Sequence, residues 1–178
     1  TTGLCPLATF DDVPLYQPGH EPDGTEIARR LAHYWQPYHR ALHQQLQRIK
    51  AIHGYALLWD AHSIRSVIPH LFEGELPVFN FGTASGSACA PGVGEQLHAL
   101  AEQLAPQLPA VLNGRFKGGY ITRQYGSPAH GVHAVQLELA QRAYMQETPP
   151  YGLQQAKVDT LRPVLRALIE RFMAFKPA

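Results

Sequence analysis

The chain has 178 residues, 45% hydrophobic and 16% charged, with a formal net charge of +1. This balance excludes a nucleic-acid binder that works by charge, which needs an excess of Lys and Arg. It also excludes a disordered chain, and no window approaches the roughly 18 apolar residues of a membrane span. Cys5 and Cys89 are too few for a disulfide scaffold, and two free thiols fit a cytoplasmic protein. Ten histidines is a high count, and histidine is both the commonest metal ligand and the usual proton shuttle.

The first residues, Thr1-Thr2-Gly3-Leu4-Cys5, carry no Met, no basic region and no apolar core of a signal peptide. They read as entry into a larger protein. Residues 1–22 are rich in Pro and Gly and read as a long loop. Asp23-Gly24-Thr25-Glu26 has the form of a capping box. Ile27, Leu31, Tyr34, Trp35, Tyr38, Leu42, Leu46 and Ile49 then recur at helical spacing. This predicts one long helix over 24–52, kinked or broken at Pro37, with the aromatics in a core stripe and Gly54 closing it.

A strand is expected at 55–59, ending at Asp60-Ala61-His62-Ser63, and a second at 77–82. A helix follows at about 92–105, a strand at 110–113, a strand at 132–139 and a final helix at about 156–175. Strands alternating with helices argue α/β with a largely parallel or mixed sheet.

Three places could carry chemistry. In Asp60-Ala61-His62-Ser63-Ile64-Arg65, a His at a strand end can ligate a metal while Asp60 fixes its tautomer. It is not a serine-hydrolase triad, since strand neighbours point to opposite faces. The alternative is an Asp that caps a turn beside an ordinary loop His. Residues 113–123, Asn113 to Arg123, hold three cations and three glycines. Arg guanidinium forks match carboxylates, so this is a candidate anion site; the alternative is a solvated basic hairpin. Glu138 lies inside an apolar strand, where a carboxylate is costly unless functional or paired. It is a candidate general base; the alternative is an ion pair with an arginine. Gly82-Thr83-Ala84-Ser85-Gly86-Ser87 lacks the ending of a phosphate loop and reads as a plain loop.

The segments 55–66, 112–119, 121–123 and 132–141 together resemble the N-formylglutamate amidohydrolase (N-formylglutamate deformylase) family. The resemblance implies a three-layer α/β fold, a mixed sheet between helices like the zinc carboxypeptidase-like (phosphorylase/hydrolase-like) fold. It implies a hydrolase of histidine degradation that cleaves N-formyl-L-glutamate to formate and L-glutamate. The implied cofactor is one zinc ion with His62 among its ligands, Asp60 and Ser63 supporting that ligand, and Glu138 as the general base. Arg115, Arg123, Asn113 and Arg65 are implied to bind the substrate, a small N-acyl acidic amino acid. The family places two further metal ligands in an N-terminal segment. No Pro-His-Ala-Gly-like motif occurs here, so the chain corresponds to the C-terminal two-thirds of a single α/β amidohydrolase domain. Two rivals stay open: a non-catalytic carboxylate-binding remnant of the fold, and a zinc amidohydrolase acting on another N-acyl amino acid.

Overall fold

The computed structural model describes residues 3–177. They form two compact units, one up to Gln45 and one from Leu46 onward.

In the first unit, the Pro-rich segment stays irregular except for a bridge between Ala8 and Pro14. Asp23 caps α1 (Gly24–Arg30) by accepting the Glu26 N–H at 2.8 Å. Glu26 does not reach back to complete the box. Its carboxylate instead takes Arg29 at 2.6 Å and Arg30 at 2.8 Å. These two guanidinium groups pull its pKa down to about 2. Arg30 also donates to the Tyr16 hydroxyl at 3.1 Å, tying the irregular segment to the helix.

Pro37 does not break the expected long helix. The chain widens into a π-helical turn at Leu31–Trp35, then resumes as α2 (Gln36–His53). The wider turn takes up the ring clash and missing donor that would kink a regular helix. Ile27, Leu31, Trp35 and Leu42 are half-buried, as their spacing predicts. The core stripe is narrower than expected, because Tyr34 is 65% and Tyr38 57% exposed. Tyr34 lies inside the π-helical turn and Tyr38 just after it, where the wider turn shifts side chains off the row that a regular α-helical period assigns.

The second unit begins with the rest of α2. Gly54, at φ +82°, adopts the left-handed cap conformation that favours glycine. The sheet contains β1 (Ala56–Ile64), β2 (Phe79–Gly82), β3 (Ala110–Leu112) and β4 (Val132–Ala140). Its order is β1-β4-β2-β3. β1 runs parallel to β4, β4 antiparallel to β2, and β2 parallel to β3. The fold is therefore mixed α/β.

β1 is longer than its apolar run suggests. All nine of its residues pair with β4, from Ala56–Val132 to Ile64–Ala140, so pairing carries the strand through Asp60-Ala61-His62-Ser63. His62 is thus inside the strand and not beyond its end.

One sheet face is apolar. Phe79, Phe81, Val135, Leu137 and Leu139 pack there with Val93, Leu97 and Ala101 of α3 (Val93–Leu104) and with Leu161, Val164, Leu168 and Phe172 of α5 (Gln155–Met173). The other face carries a short helix, α4 (Tyr120–Tyr125), against β4 and β1. A smaller apolar cluster, Ile64, Ile68, Leu76 and Ala140, sits at its edge. α4 begins inside the stretch 113–123 read as an anion-binding loop or basic hairpin; its six residues are too few for periodicity to reveal. Among the described residues, no helix is long and apolar enough to cross a membrane.

Candidate active site

Alternation along paired strands builds the site. Asp60 and His62 on β1 stand opposite Gln136 and Glu138 on β4, and Asn80 and Gly82 of β2 complete the row. Residues two apart share a face, so all six belong to the face opposite the apolar core.

Asp60 is 8% exposed and accepts from two sides. His62 Nε2 lies 3.0 Å from Oδ1, and the hydroxyl of buried Thr122 donates to Oδ2 at 3.4 Å. His62 itself is half-exposed. Its hydrogen bond to Asp60 favours the imidazolium and raises its pKa. Glu138 is 7% exposed, and burial pushes its carboxyl pKa up. The nearby His62 and a hydrogen bond from Gln136 work in the opposite direction. Gln136 Nε2 donates to Glu138 Oε2 at 3.2 Å. The buried carboxylate is thus held by an amide and not by the arginine that a purely structural reading calls for.

The basic segment closes over this row. A Cβ built on Gly82 would stand 2.5 Å from the Gly118 nitrogen and 2.7 Å from the Lys117 carbonyl carbon. Only glycine lets that backbone lie directly on the sheet. The Gly119 N–H, at the start of α4, donates to Gln136 Oε1 at 2.5 Å.

The remaining candidates have other tasks. Ser63 is on the opposite side of β1 from His62, where its Oγ accepts from the Tyr144 hydroxyl at 2.9 Å. Strand alternation therefore separates it from the histidine it was expected to support. Asn113, at φ +53°, accepts from Thr83 N at 2.9 Å and Ser85 N at 3.3 Å. It also donates to Thr83 Oγ1 at 2.8 Å, so it shapes the turn after β2 instead of presenting a free amide to substrate. Arg115 Nε donates to the Leu71 carbonyl at 2.9 Å, with its guanidinium 5.8 Å from the Phe116 ring centre. Arg123, on α4, donates to the Gly118 carbonyl at 2.5 Å. Arg65 is half-buried just past the end of β1.

Gln136 and Thr122 were not among the site residues expected from the sequence. Gln136 was legible, since it stands two positions before Glu138 on the same strand. Thr122 was not, because α4 gave no periodic signal.

A profile of the N-formylglutamate amidohydrolase family matches residues 1–145. The chain belongs to this family. It is 51% identical over 175 residues to an N-formylglutamate deformylase of Pseudomonas aeruginosa, covering 98% of this chain and 65% of that protein. It is 49% identical over the same length to an N-formylglutamate deformylase of Pseudomonas putida, with the same coverage. This family member thus spans just under two-thirds of the length of the curated relatives it matches. The solved structure of an N-formylglutamate amidohydrolase from Ralstonia eutropha superposes with a TM-score of 0.76 at 21% identity, over 90% of this chain and 57% of that one. At that identity the likeness concerns the fold.

Proposed function

We propose that this chain serves the hydrolysis of N-formyl-L-glutamate to formate and L-glutamate, on a zinc carboxypeptidase-like fold. The observation that carries the reading is Glu138. It is a buried carboxyl with a raised pKa, oriented by Gln136, on the same sheet face as the Asp60–His62 pair and linked through Gln136 to the segment that leads into α4. Near-complete coverage by deformylase relatives at about half identity supports the same reaction.

In this reading Glu138 accepts a proton from the attacking water. It then returns that proton to the amine as the formyl C–N bond breaks. A carboxyl whose pKa burial moves toward neutrality suits both halves of the transfer. Arg115 bonds through Nε, so its NH1/NH2 edge is the part that can fork a carboxylate. Arg115 and Arg123 read the two carboxylates of the substrate. The two unpaired cysteines suit a reducing compartment such as the cytoplasm.

His62 is our candidate metal ligand. Asp60 takes its Nε2–H, which leaves the lone pair on Nδ1 for a metal. Among the described residues, however, no three His, Cys, Asp or Glu side chains cluster so as to hold an ion. A catalytic zinc takes three protein ligands. These residues do not fit a complete zinc site by themselves, and further ligands would have to come from outside them.

The second reading is a carboxylate-binding domain without catalysis. Formate release from N-formyl-L-glutamate and from N-formyl-L-leucine, with metal content measured on the same sample, decides. Turnover of the acidic substrate alone supports the deformylase reading. Equal turnover of both points to a broader amidohydrolase. Binding of L-glutamate with no formate release supports the remnant.

A further inference from the structure

Gln136 is buried at 4% exposure, yet both ends of its amide are engaged. Its oxygen takes the Gly119 N–H and its nitrogen reaches Glu138. The orientation has no freedom, because a backbone N–H can only donate. The oxygen must face Gly119, so the NH2 must face Glu138.

Gly119 is a significant place for one end of this bridge. It opens α4, which carries Arg123 and Thr122, and it follows the Lys117-Gly118 backbone that rests on Gly82. Gly82 is the cross-strand neighbour of Gln136 on β2. The Ala84 N–H holds the Lys117 carbonyl at 2.6 Å, so the segment is fastened on the β2 side as well. On its other side, Gln136 pairs in register with Asp60. One buried amide therefore joins the segment that bears the cations to the carboxylate that would move the proton.

We infer that Gln136 is a positioning residue that couples the seating of the 117–123 segment to the orientation of the Glu138 carboxylate. The inference rests on the reading of Glu138 as general base. Gln136 holds Oε2, which leaves Oε1 as the oxygen for proton transfer. The segment is already seated against Gly82 and Ala84, and the Gly119–Gln136–Glu138 chain transmits that seating to the base.

Two variants separate the halves of the amide. Gln136→Glu keeps an acceptor for Gly119 but replaces the NH2 with a second carboxyl oxygen, which shares a proton with Glu138 and no longer holds it as a fixed amide donor. Gln136→Met loses both. The readouts are amide hydrogen exchange at Gly119 and the steady-state kcat and KM for formate release by the full protein. Gln136→Glu is expected to retain Gly119 protection and KM while lowering kcat by about 10–100-fold, the range for groups that orient a functional residue. Gln136→Met is expected to speed Gly119 exchange by about tenfold, the value of one lost hydrogen bond. It should also raise KM together with the loss of kcat. Gly119 exchange that is the same in Gln136→Met and wild type overturns the coupling, with or without turnover. So does a Gln136→Glu enzyme with wild-type kcat when Glu138→Gln is impaired. If Glu138→Gln itself keeps full kcat, the general-base reading fails, and the coupling falls with it.

Discussion

The two faces of β4 are equally buried and chemically opposite. All nine residues of the strand are withdrawn from solvent. Val135, Leu137 and Leu139 meet the side chains of α3 and α5, and removing them from water is itself favourable. The Gln136 and Glu138 side chains meet each other and, through Gln136, the Gly119 N–H of the segment that covers the sheet. Their burial costs free energy that only those partners offset. Burial therefore does not by itself mark a core. On one face it stabilises the fold, and on the other it pushes a carboxyl pKa upward.

Exchanging the character of single positions tests this contrast. The largest effect is expected at Glu138. Glu138→Gln keeps the shape and loses the proton acceptor, so kcat should fall about 10²–10⁴-fold. Its melting temperature should hold or rise, since a buried carboxyl is replaced by a neutral group. A lowered melting temperature with unchanged kcat would instead make Glu138 structural. On the opposite face, Leu137→Ala should cost about 2–5 kcal/mol in urea unfolding. Activity per folded molecule should change little.

Gly82→Ala tests the boundary between strand and covering segment. Its methyl would meet the Gly118 backbone at 2.5 Å, and overpacking of this kind costs about 1–3 kcal/mol. Because the displaced atoms are backbone next to Gly119, KM should rise more than a comparable loss of stability elsewhere would cause. Asp23→Ala supplies that comparison in the first unit. Losing the cap of α1 should cost about 1 kcal/mol and leave KM unchanged.

The smallest effect is chemical. Cys89 belongs to the apolar face at 3% exposure, and burial pushes its thiol pKa up to about 11. At pH 8 roughly one molecule in a thousand carries the thiolate, the form that reacts. Iodoacetamide should leave Cys89 almost unlabelled at pH 8, with labelling rising as pH approaches 11. Fast labelling at pH 8 in folded protein would show that this face opens.

Much of the fold was legible because it is written in short-range patterns. The Asp23 cap, the αL glycine at Gly54, α3, α5 and the alternation in β4 are each set by neighbours within a turn or two. The site was legible in part. Asp60, His62 and Glu138 share one sheet face, and the family motifs marked all three. Ser63 and Asn113 were read from their place in a motif, and their side chains are committed elsewhere.

The amino-acid sequence by itself determined the types of the longer elements, the period that sorts β4 into an apolar and a polar row, and the family. Local propensity and hydrophobic spacing require no knowledge of distant partners. The tertiary structure decided the rest through contacts between residues far apart in the chain. Pairing with β4 prolonged β1 through His62, from residue 56 to 64 against 132 to 140. The order β1-β4-β2-β3 placed Gly82 beside Gln136 and so allowed the 117–119 backbone to close on the sheet. That closure gave Glu138 an amide for a partner instead of an arginine. No local pattern specifies which of several buried polar groups will meet, because that choice depends on strand order and register.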